Sequence, residues 1–339
     1  SPSMPTLQQL YDIMIETGRK NDPRPVKDID AMLKDTKKEY DKLDKKKKKY
    51  FFMEKLKNPY GDSGVLYGAL NRNVKTALVC IDGDTQELLL ANALRGRGGN
   101  GERNGKIDMV IAHHPEGRAL VDLTKVMPIQ ETVMSELGVP INIAEKLLAS
   151  RIGKIDRSLH PVNHYRAVDA ARLLDIPFMG CHTPADNSVH KFLSDFGERW
   201  EKKRGRKGSA KAGLVGDLME ALLDIEEFQE AEKLGMGPMI FSGSKSSKLG
   251  KIAVTGMTGG TSGSDDIYEQ LSRAGVGTVL EMHMQETTKE KAEKFHLNIV
   301  ITGHMASDSI GMNLVLDVME KKGLVIVPAG GLIRVTRNA

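Results

Sequence analysis

Histidine and carboxylate residues recur directly after three predicted strands of this chain. The three segments are His113-His114 after residues 109–112, His182-Thr-Pro-Ala-Asp186 after residues 177–181, and His304-Met-Ala-Ser-Asp308 after residues 298–301. Imidazole and carboxylate groups are ligands that divalent metal ions prefer in proteins. Because ligands of open parallel sheets bind outside the carboxyl ends of the strands, the pattern predicts one metal-binding crevice lined by all three segments.

The spacing within these segments favours convergence of the side chains. His304 and Asp308 are four residues apart at a strand-to-helix junction, so a first helical turn would place both on one side. His113 and His114 are adjacent, and Pro115 favours an extended or bent backbone that could aim the two imidazoles at different ions. We predict two divalent ions per chain (Zn, Mn, Fe or Mg), held by His113, His114, Asp186, His304 and Asp308.

A second set of residues is predicted to surround the metal ions. It comprises His182, Asp82, Asp84, Gly259 and Gly260. The histidine could orient a ligand through a hydrogen bond, and the two aspartates either line the crevice or cap the helix that follows them. The glycines lie in a turn at residues 255–266 that either presents backbone N–H groups to an anion or packs closely against a neighbour. No residue stands out as a general base, so the catalytic group is unknown.

Strands and helices that alternate along the chain must position these residues. Strands are predicted at residues 76–81, 109–112, 177–181, 251–255, 276–280 and 298–301, with a last pair at 324–327 and 332–335. They are short and continuously apolar, as buried parallel strands are. The predicted fold class is α/β, with two parallel-sheet-containing lobes, the metal site between them and an N-terminal helical extension.

Four regions are expected along the chain. They are a charged helical extension (1–58), a first α/β lobe (59–195), a linker with a helix (196–250) and a second α/β lobe (251–339). Apolar residues at 26, 29, 33, 40, 43 and 50 have a heptad-like spacing, which predicts a long helix or a helical hairpin. The lysine-rich run at residues 37–49 is interpreted as a solvated helix face. An RNA-binding arm is the alternative, but interleaved arginines and aromatic platforms are missing. No sustained internal repeat is evident.

The composition limits the classes of protein to which this chain can belong. The 339 residues carry a formal net charge of only +4, which does not require a nucleic-acid partner. Two cysteines, Cys80 and Cys181, are too few for a disulfide framework and favour a reducing compartment. No apolar run of about 18 residues is present, so no membrane span is expected. We therefore expect a cytoplasmic protein that does not bind membranes.

Six motifs, taken in order, resemble those of the NIF-three-like dinuclear metal-binding family, whose members are often described as type 2 homologues of GTP cyclohydrolase I. The motifs are Asn58-Pro-Tyr-Gly-Asp-Ser-Gly-Val-Leu-Tyr-Gly68, Cys80-Ile-Asp-Gly-Asp-Thr85, Ile111-Ala-His-His-Pro115, His182-Thr-Pro-Ala-Asp186, the glycine-rich turn at 256–264, and Ile301-Thr-Gly-His304 through Asp308. The resemblance covers most of residues 58–323. It implies the same five metal ligands, and a ring-shaped homo-oligomer, commonly a hexamer, with the metal sites facing a central cavity.

The chain departs from the family pattern at three points. Asp308 stands where the family usually has glutamate, whose side chain is one methylene longer. The tryptophan that is usual in the opening segment is absent, and the charged segment at residues 5–57 lies outside the family pattern. These departures bear on the substrate more than on the metal ions.

The leading functional hypothesis is a metal-dependent hydrolase that acts on a nucleotide, a phosphoester or another small molecule. Two neighbouring divalent ions would lower the pKa of a shared water and polarise the substrate. The GTP cyclohydrolase activity implied by the resemblance fits this chemistry, because opening a purine ring requires activated water. The alternative is a non-catalytic metal-binding or regulatory assembly protein, which a closed ligand shell without a neighbouring pocket would favour.

Overall fold

Two β-sheets of mainly parallel strands form the framework of the computed structural model, which describes residues 4–95, 106–206 and 213–338. The strands are β1 Gly64–Tyr67, β2 Thr76–Cys80, β3 Met109–Ala112, β4 Phe178–Gly180, β5 Met239–Ser242, β6 Lys251–Val254, β7 Val276–Glu281, β8 Asn298–Ile301 and β9 Val325–Ala329. The first sheet has the order β1-β4-β3-β2-β9 and the second the order β5-β8-β7-β6. The α/β fold class predicted from the sequence is confirmed.

Four strands of the first sheet have the same topology as the four strands of the second, and β9 is an addition to the first. In the first, β2, β3 and β4 are parallel and β1 runs antiparallel to β4. In the second, β6, β7 and β8 are parallel and β5 runs antiparallel to β8. Both antiparallel pairings contain a register shift. The lobes therefore repeat in topology although the sequence shows no sustained repeat.

Helices cover both sheets, as parallel sheets require. They are α1 Leu7–Asn21, α2 Val26–Lys42, α3 Lys45–Lys48, α4 Thr85–Leu94, α5 Gly117–Val121, α6 Ile129–Glu136, α7 Ile141–Leu159, α8 Arg166–Leu174, α9 Thr183–Arg206, α10 Val215–Leu222, α11 Glu226–Lys233, α12 Ile267–Arg273, α13 Glu286–Glu293 and α14 His304–Lys321, with 3-10 turns at Met53–Leu56 and Leu123–Val126. Within the described residues, none of these helices is long and apolar enough to cross a membrane.

The N-terminal region consists of the two helices α1 and α2, followed by the short lysine-rich helix α3. A capping box at Thr6 begins α1, whose Leu10 and Met14 are fully buried in the core of the first lobe. Helix α2 buries only Ile29 and ends at Lys42, so the apolar seam does not continue to residue 50. Most of the lysines at positions 37–49 are exposed, as expected for a solvated face.

Two strands were missed by the sequence analysis, and one predicted strand does not form. The missed strands, β1 and β5, lie at sheet edges and are only partly buried, so they lack the continuous apolar run of a central strand. β5 falls within the stretch predicted as a linker. Residues 332–335 form no strand, whereas β9 lies beside β2 in the first sheet. The chain thus returns to the first lobe at its end, and the predicted domain limits stay predictions.

Candidate metal centre

The carboxyl ends of β3, β4 and β8 deliver the predicted ligands to one crevice. His113 and His114 follow β3 directly, while helices α9 and α14 begin just after β4 and β8. These two helices pack closely, since a Cβ added to Gly311 would lie 2.2 Å from the backbone oxygen of Ala185. The first turn of each helix lies beside the His113-His114 segment, because Asp186 of α9 and Asp308 of α14 each have an oxygen 3.2 Å from His113 Nε2.

Three imidazoles in the cluster use the same ring nitrogen, Nδ1, for a hydrogen bond to the protein. His113 Nδ1 lies 2.8 Å from the backbone oxygen of Cys181, and His114 Nδ1 lies 2.5 Å from Asp82. His182 Nδ1 lies 2.7 Å from Asp62. Each partner atom is an oxygen acceptor, so each Nδ1–H donates and each Nε2 is left free for another contact. Metal-binding histidines in proteins are held in the same way.

The first group of ligand atoms surrounds His113 Nε2. This nitrogen lies 3.2 Å from an oxygen of Asp186 and 3.2 Å from Oδ1 of Asp308. His113 Nε2 and Asp186 Oδ1 are both buried, yet neither has a hydrogen-bond partner among the described residues. Buried polar atoms are nearly always paired, and a cation between these two would satisfy both.

Electrostatics also favours a positive charge at this point. Burial opposes protonation of His113, but the carboxylates of Asp308 and Asp186 raise its pKa well above 6.5. Burial likewise opposes ionisation of Asp308, but His113, His114 and His304 hold its pKa well below 3.8. A divalent ion would supply the same positive charge without a proton.

A second group consists of His114, His304 and Asp308. The two Nε2 atoms are 3.2 Å apart, and each lies 3.1 Å from Asp308 Oδ2. Tetrahedral ligands at Zn–N distances of about 2.1 Å would be separated by roughly 3.4 Å. The three atoms are therefore spaced much as ligands around one ion are.

Asp308 joins the two groups. Its side chain is 1% exposed, with Oδ1 directed to His113 and Oδ2 to His114 and His304. The aspartate, although shorter than the glutamate usual in the family, reaches both groups from the first turn of α14. One carboxylate with an oxygen on each side is the arrangement of a bridging ligand.

His182 lies closer to the cluster than the sequence analysis expected. His113, His182 and Asp186 have ligand atoms within 4.8 Å of one another, and His182 Nε2 is 3.4 Å from Asp186. The buried Asp62, which also accepts a hydrogen bond of 2.6 Å from Thr183, holds this imidazole. Asp62 was not predicted, because a lone aspartate in a loop has no spacing signal, although it lies in the 58–68 motif.

Of the remaining residues predicted to surround the metal ions, two lie at the crevice and two make other contacts. Asp82 contacts His114, as described above, and Gly260 lines the crevice. Asp84 is instead engaged in capping α4, with an ion pair of 2.5 Å to Arg166, so the capping alternative describes it. Gly259 packs on Gln130, which donates a 2.8 Å hydrogen bond to its carbonyl.

One histidine of the crevice was missed. The ring of His283 lies 4.6 Å from that of His304, centroid to centroid, and it lines the same crevice. His283 lies two residues after β7, and this position at the carboxyl end of a strand is the signal that could have identified it.

The crevice above the ligand atoms is open. Its cavity volume is about 190 Å³, and residues of both lobes line it, including His114, Asp186, His283, His304 and Asp308. The side chain of His304 is 47% exposed. A small molecule can therefore approach the second group of ligand atoms.

Comparison with solved structures identifies the fold. The chain is similar to a NIF3 superfamily protein from Sphaerobacter thermophilus, with 25% identity, a TM-score of 0.75, and coverage of 97% of this chain and 100% of the other. Reduced HcgD from Methanocaldococcus jannaschii also matches, at 15% identity, a TM-score of 0.43, and coverage of 78% and 88%. A NIF3-related protein of Bacillus cereus matches at 14% identity and a TM-score of 0.41, with coverage of 82% and 92%.

No protein-family model matches the chain, and no curated protein matches it. The Sphaerobacter structure nevertheless aligns over nearly all of both chains, and the six sequence motifs occur here in the order expected for the family. Histidine and aspartate groups that could hold a metal ion follow strands of both sheets. The chain therefore has the fold of the NIF3 superfamily protein, and the comparison supports a NIF3-like family for it.

Proposed function

We propose that this chain is a hydrolase that depends on a pair of divalent metal ions and acts on a nucleotide, a phosphoester or a related small molecule. One observation carries the proposal. The buried carboxylate of Asp308 directs one oxygen to each of two imidazole groups, beside a cavity that is open to small molecules.

The side chains fit two divalent ions. His113 and Asp186 would hold one ion and His114 and His304 the other, with Asp308 shared between them. The Nε2 of His113 has no hydrogen-bond partner among the described residues, and two buried carboxylates concentrate negative charge around it. Imidazole with carboxylate suits Zn, Mn and Fe, and the carboxylates also suit Mg.

Bound in this way, the ions would lower the pKa of water and polarise a substrate oxygen. The protein's own residues would fix the geometry. Asp82 and Asp62 orient the imidazoles of His114 and His182, and the buried location of Asp308 prevents its carboxylate from rotating into solvent. No described group is needed as a separate base.

The open crevice supports catalysis over the alternative of a non-catalytic metal-binding or regulatory protein. A purely structural metal site is closed by protein ligands, whereas a catalytic site keeps a position free. Here His304 is exposed on one side of the cluster. An activity like that of type 2 GTP cyclohydrolase I homologues, and assembly into a hexameric ring, remain proposals that rest on the family resemblance.

The proposal is tested by metal analysis together with hydrolysis assays. We expect close to two divalent ions per chain after loading with Mn or Zn, and hydrolysis of bis(p-nitrophenyl) phosphate or a nucleotide. The double variant His114→Ala/His304→Ala should lose metal and activity, while His160→Ala, outside the cluster, should keep both. Two bound ions without turnover on a broad panel would favour the non-catalytic alternative, and full metal occupancy in the double variant would refute the site.

A further inference from the structure

A second and larger cavity adjoins the crevice. Its volume is about 330 Å³, at the lower end of the range for small-molecule sites. It lies between helix α7 and the glycine-rich turn at residues 255–266. Thr258, Thr261, Ser262 and His283 line both the cavity and the crevice, so a ligand in the cavity can extend toward the proposed metal ions.

One wall of this cavity is cationic. Lys146, Arg151 and Lys154 line it from α7, and the described residues include no ion-pair partner for any of them. Arg151 is half-buried and its Nε donates a 3.0 Å hydrogen bond to the backbone oxygen of Ser262. That bond fixes the guanidinium beside the turn while its terminal nitrogens stay available to an anion.

Acidic residues also line the cavity, but two of them have a cationic partner. Asp265 and Asp266 lie 3.7 Å and 3.8 Å from Lys291. Glu131 remains beside the α7 wall, and Glu281 lies at the end of β7. The α7 wall thus presents three cations, while Glu131 and Glu145 are the carboxylates near it. The excess of positive charge favours an anionic group there.

Glu281 is a buried carboxyl group that opens on the cavity. It is 6% exposed, and one oxygen accepts a 2.7 Å hydrogen bond from Tyr268. Its second oxygen has no hydrogen-bond partner among the described residues. Gly256 leaves room beside it, because a Cβ there would lie 3.0 Å from that oxygen. Burial raises the pKa of Glu281 to about 7, because the ionised carboxylate is costly to bury without a partner. An N–H donor from a ligand would stabilise that ionised form.

We propose that this cavity binds a phosphorylated small molecule that also carries an amine or amide N–H group. The phosphate is held by Arg151 and the lysines of α7, and the N–H donor binds Glu281. Glu281 is two residues before His283, which lines the crevice, so the nitrogen-bearing end lies nearer the proposed metal ions. The phosphate then contributes to binding and is not the group that reacts. This inference deepens the proposed function, on which it rests for its role in catalysis.

Calorimetric titration with three related probes tests the two halves of the recognition separately. Glucosamine 6-phosphate has both groups, glucose 6-phosphate lacks the amine and glucosamine lacks the phosphate. We expect glucosamine 6-phosphate to bind at least about tenfold more tightly than either of the others, the effect of one charged hydrogen bond. Equal binding of all three, or no binding at millimolar concentration, would overturn the proposal.

Variants locate the binding. Arg151→Gln/Lys154→Gln should abolish the preference for the phosphorylated sugar, and Glu281→Gln should abolish the preference for the amine while keeping the hydrogen bond from Tyr268. Lys45→Gln/Lys46→Gln removes the same charge outside the cavity and should change neither preference. A loss of either preference in that control would refute the assigned site.

The titrations are run with and without Mn, after thermal unfolding has shown that each variant folds. Binding that persists in protein treated with a chelator would support the cavity even if no hydrolysis were ever found. Hydrolysis with no preference among the probes would instead support the proposed function and refute this cavity. The two proposals therefore fail separately.

Discussion

The same short motif stands at the start of two helices, one in each lobe. His182-x-x-x-Asp186 opens α9 after the third parallel strand of the first sheet, and His304-x-x-x-Asp308 opens α14 at the corresponding point of the second. In both cases the aspartate is buried and directed to His113. Shared topology therefore places equivalent side chains on two sides of one cluster.

The two histidines differ in their surroundings. The side chain of His182 is 8% exposed and held by the buried Asp62, whereas that of His304 is 47% exposed and contacts the ring of His283. The first-lobe motif is thus almost fully buried at the wall of the crevice, whereas His304 of the second-lobe motif is exposed to the crevice. A repeated motif thus supplies one buried half and one accessible half to a single site.

Replacing the aspartate of each motif with asparagine should produce the largest difference in metal content between the first-lobe and second-lobe motifs. Asp308→Asn should lose both ions, because a neutral amide cannot balance two cations. Asp186→Asn should lose mainly the ion beside His113. Metal content after dialysis against a fixed free Mn concentration measures both. Two ions retained with unchanged affinity in Asp308→Asn would break the assignment of a shared carboxylate.

Asp308→Glu also tests whether one carboxylate at this position contacts both groups of ligand atoms. It restores the residue usual in the family, and α14 brings its backbone close enough for aspartate to reach both imidazole groups. We expect the longer side chain to crowd the cluster and weaken metal binding relative to wild type. Tighter binding of both ions in a competition titration would show that α14 has kept the family position.

Removing the histidines should produce a smaller, graded difference. His304→Ala removes a ligand atom from the second group and should lower occupancy to about one ion per chain. His182→Ala should weaken binding of the other ion by roughly 10–100-fold, as changes around a metal ligand do. Competition with a chelator of known affinity gives both values. A larger loss in His182→Ala than in His304→Ala would make His182 the principal ligand.

The next turn of α9 and of α14 differs in a residue that should make the free energy of unfolding depend on pH. His190 lies four residues after Asp186, where Met312 follows Asp308. Burial lowers the pKa of His190 to about 4, so the unfolded chain binds this proton more readily. Its contribution to stability is therefore present above pH 6.5 and is lost as pH falls toward 4, by up to about 3 kcal/mol.

His190→Met would copy the second-lobe residue into the first. We expect the variant and wild type to have similar unfolding free energies at pH 7 in chelator, and the variant to be more stable at pH 4.5. Urea titrations at the two pH values give the difference. A variant that loses stability as steeply as wild type would show that His190 does not cause the acid sensitivity.

The smallest expected effects concern helical glycines. Gly311→Ala would force a Cβ to 2.2 Å from the carbonyl of Ala185, at the contact between α14 and α9, whereas a Cβ at Gly197 of α9 meets nothing within 4 Å. We expect Gly311→Ala to destabilise by about 1–3 kcal/mol and Gly197→Ala to stabilise by roughly 0.5–1 kcal/mol. Thermal unfolding of both variants should show shifts of opposite sign.

The sequence was sufficient to predict the ligand segments because their chemistry is local. Polar residues directly after apolar strands must lie at a sheet edge, so His113, Asp186 and Asp308 could be grouped before any fold was known. His283 was missed because it follows β7 as a single histidine, without the adjacent histidine or the His-x-x-x-Asp spacing of the other segments. Asp62 was missed because its role depends on a contact across 120 residues with His182, which no spacing rule reports.

The fold was predictable in class but not at its edges. Central strands are continuously apolar, whereas β1 and β5 are partly exposed and share their residue types with turns. The packing of α1 into the first core was also hidden, because its buried Leu10 and Met14 belong to an ordinary amphipathic pattern. Such a pattern shows that a helix packs on something, but it does not identify the partner.

Helices α9 and α14 exchange lobes along their length. α9 starts from the first sheet, and its Val189 and Leu193 lie in the core of the second lobe. α14 starts from the second sheet, and its Met312 and Val315 lie in the core of the first. The two helices thus join the lobes in opposite directions. A hinge motion that separated the lobes would disrupt the packing of both cores. We therefore expect entry of small molecules into the crevice to depend on rotation of the His304 side chain, without movement of the lobes.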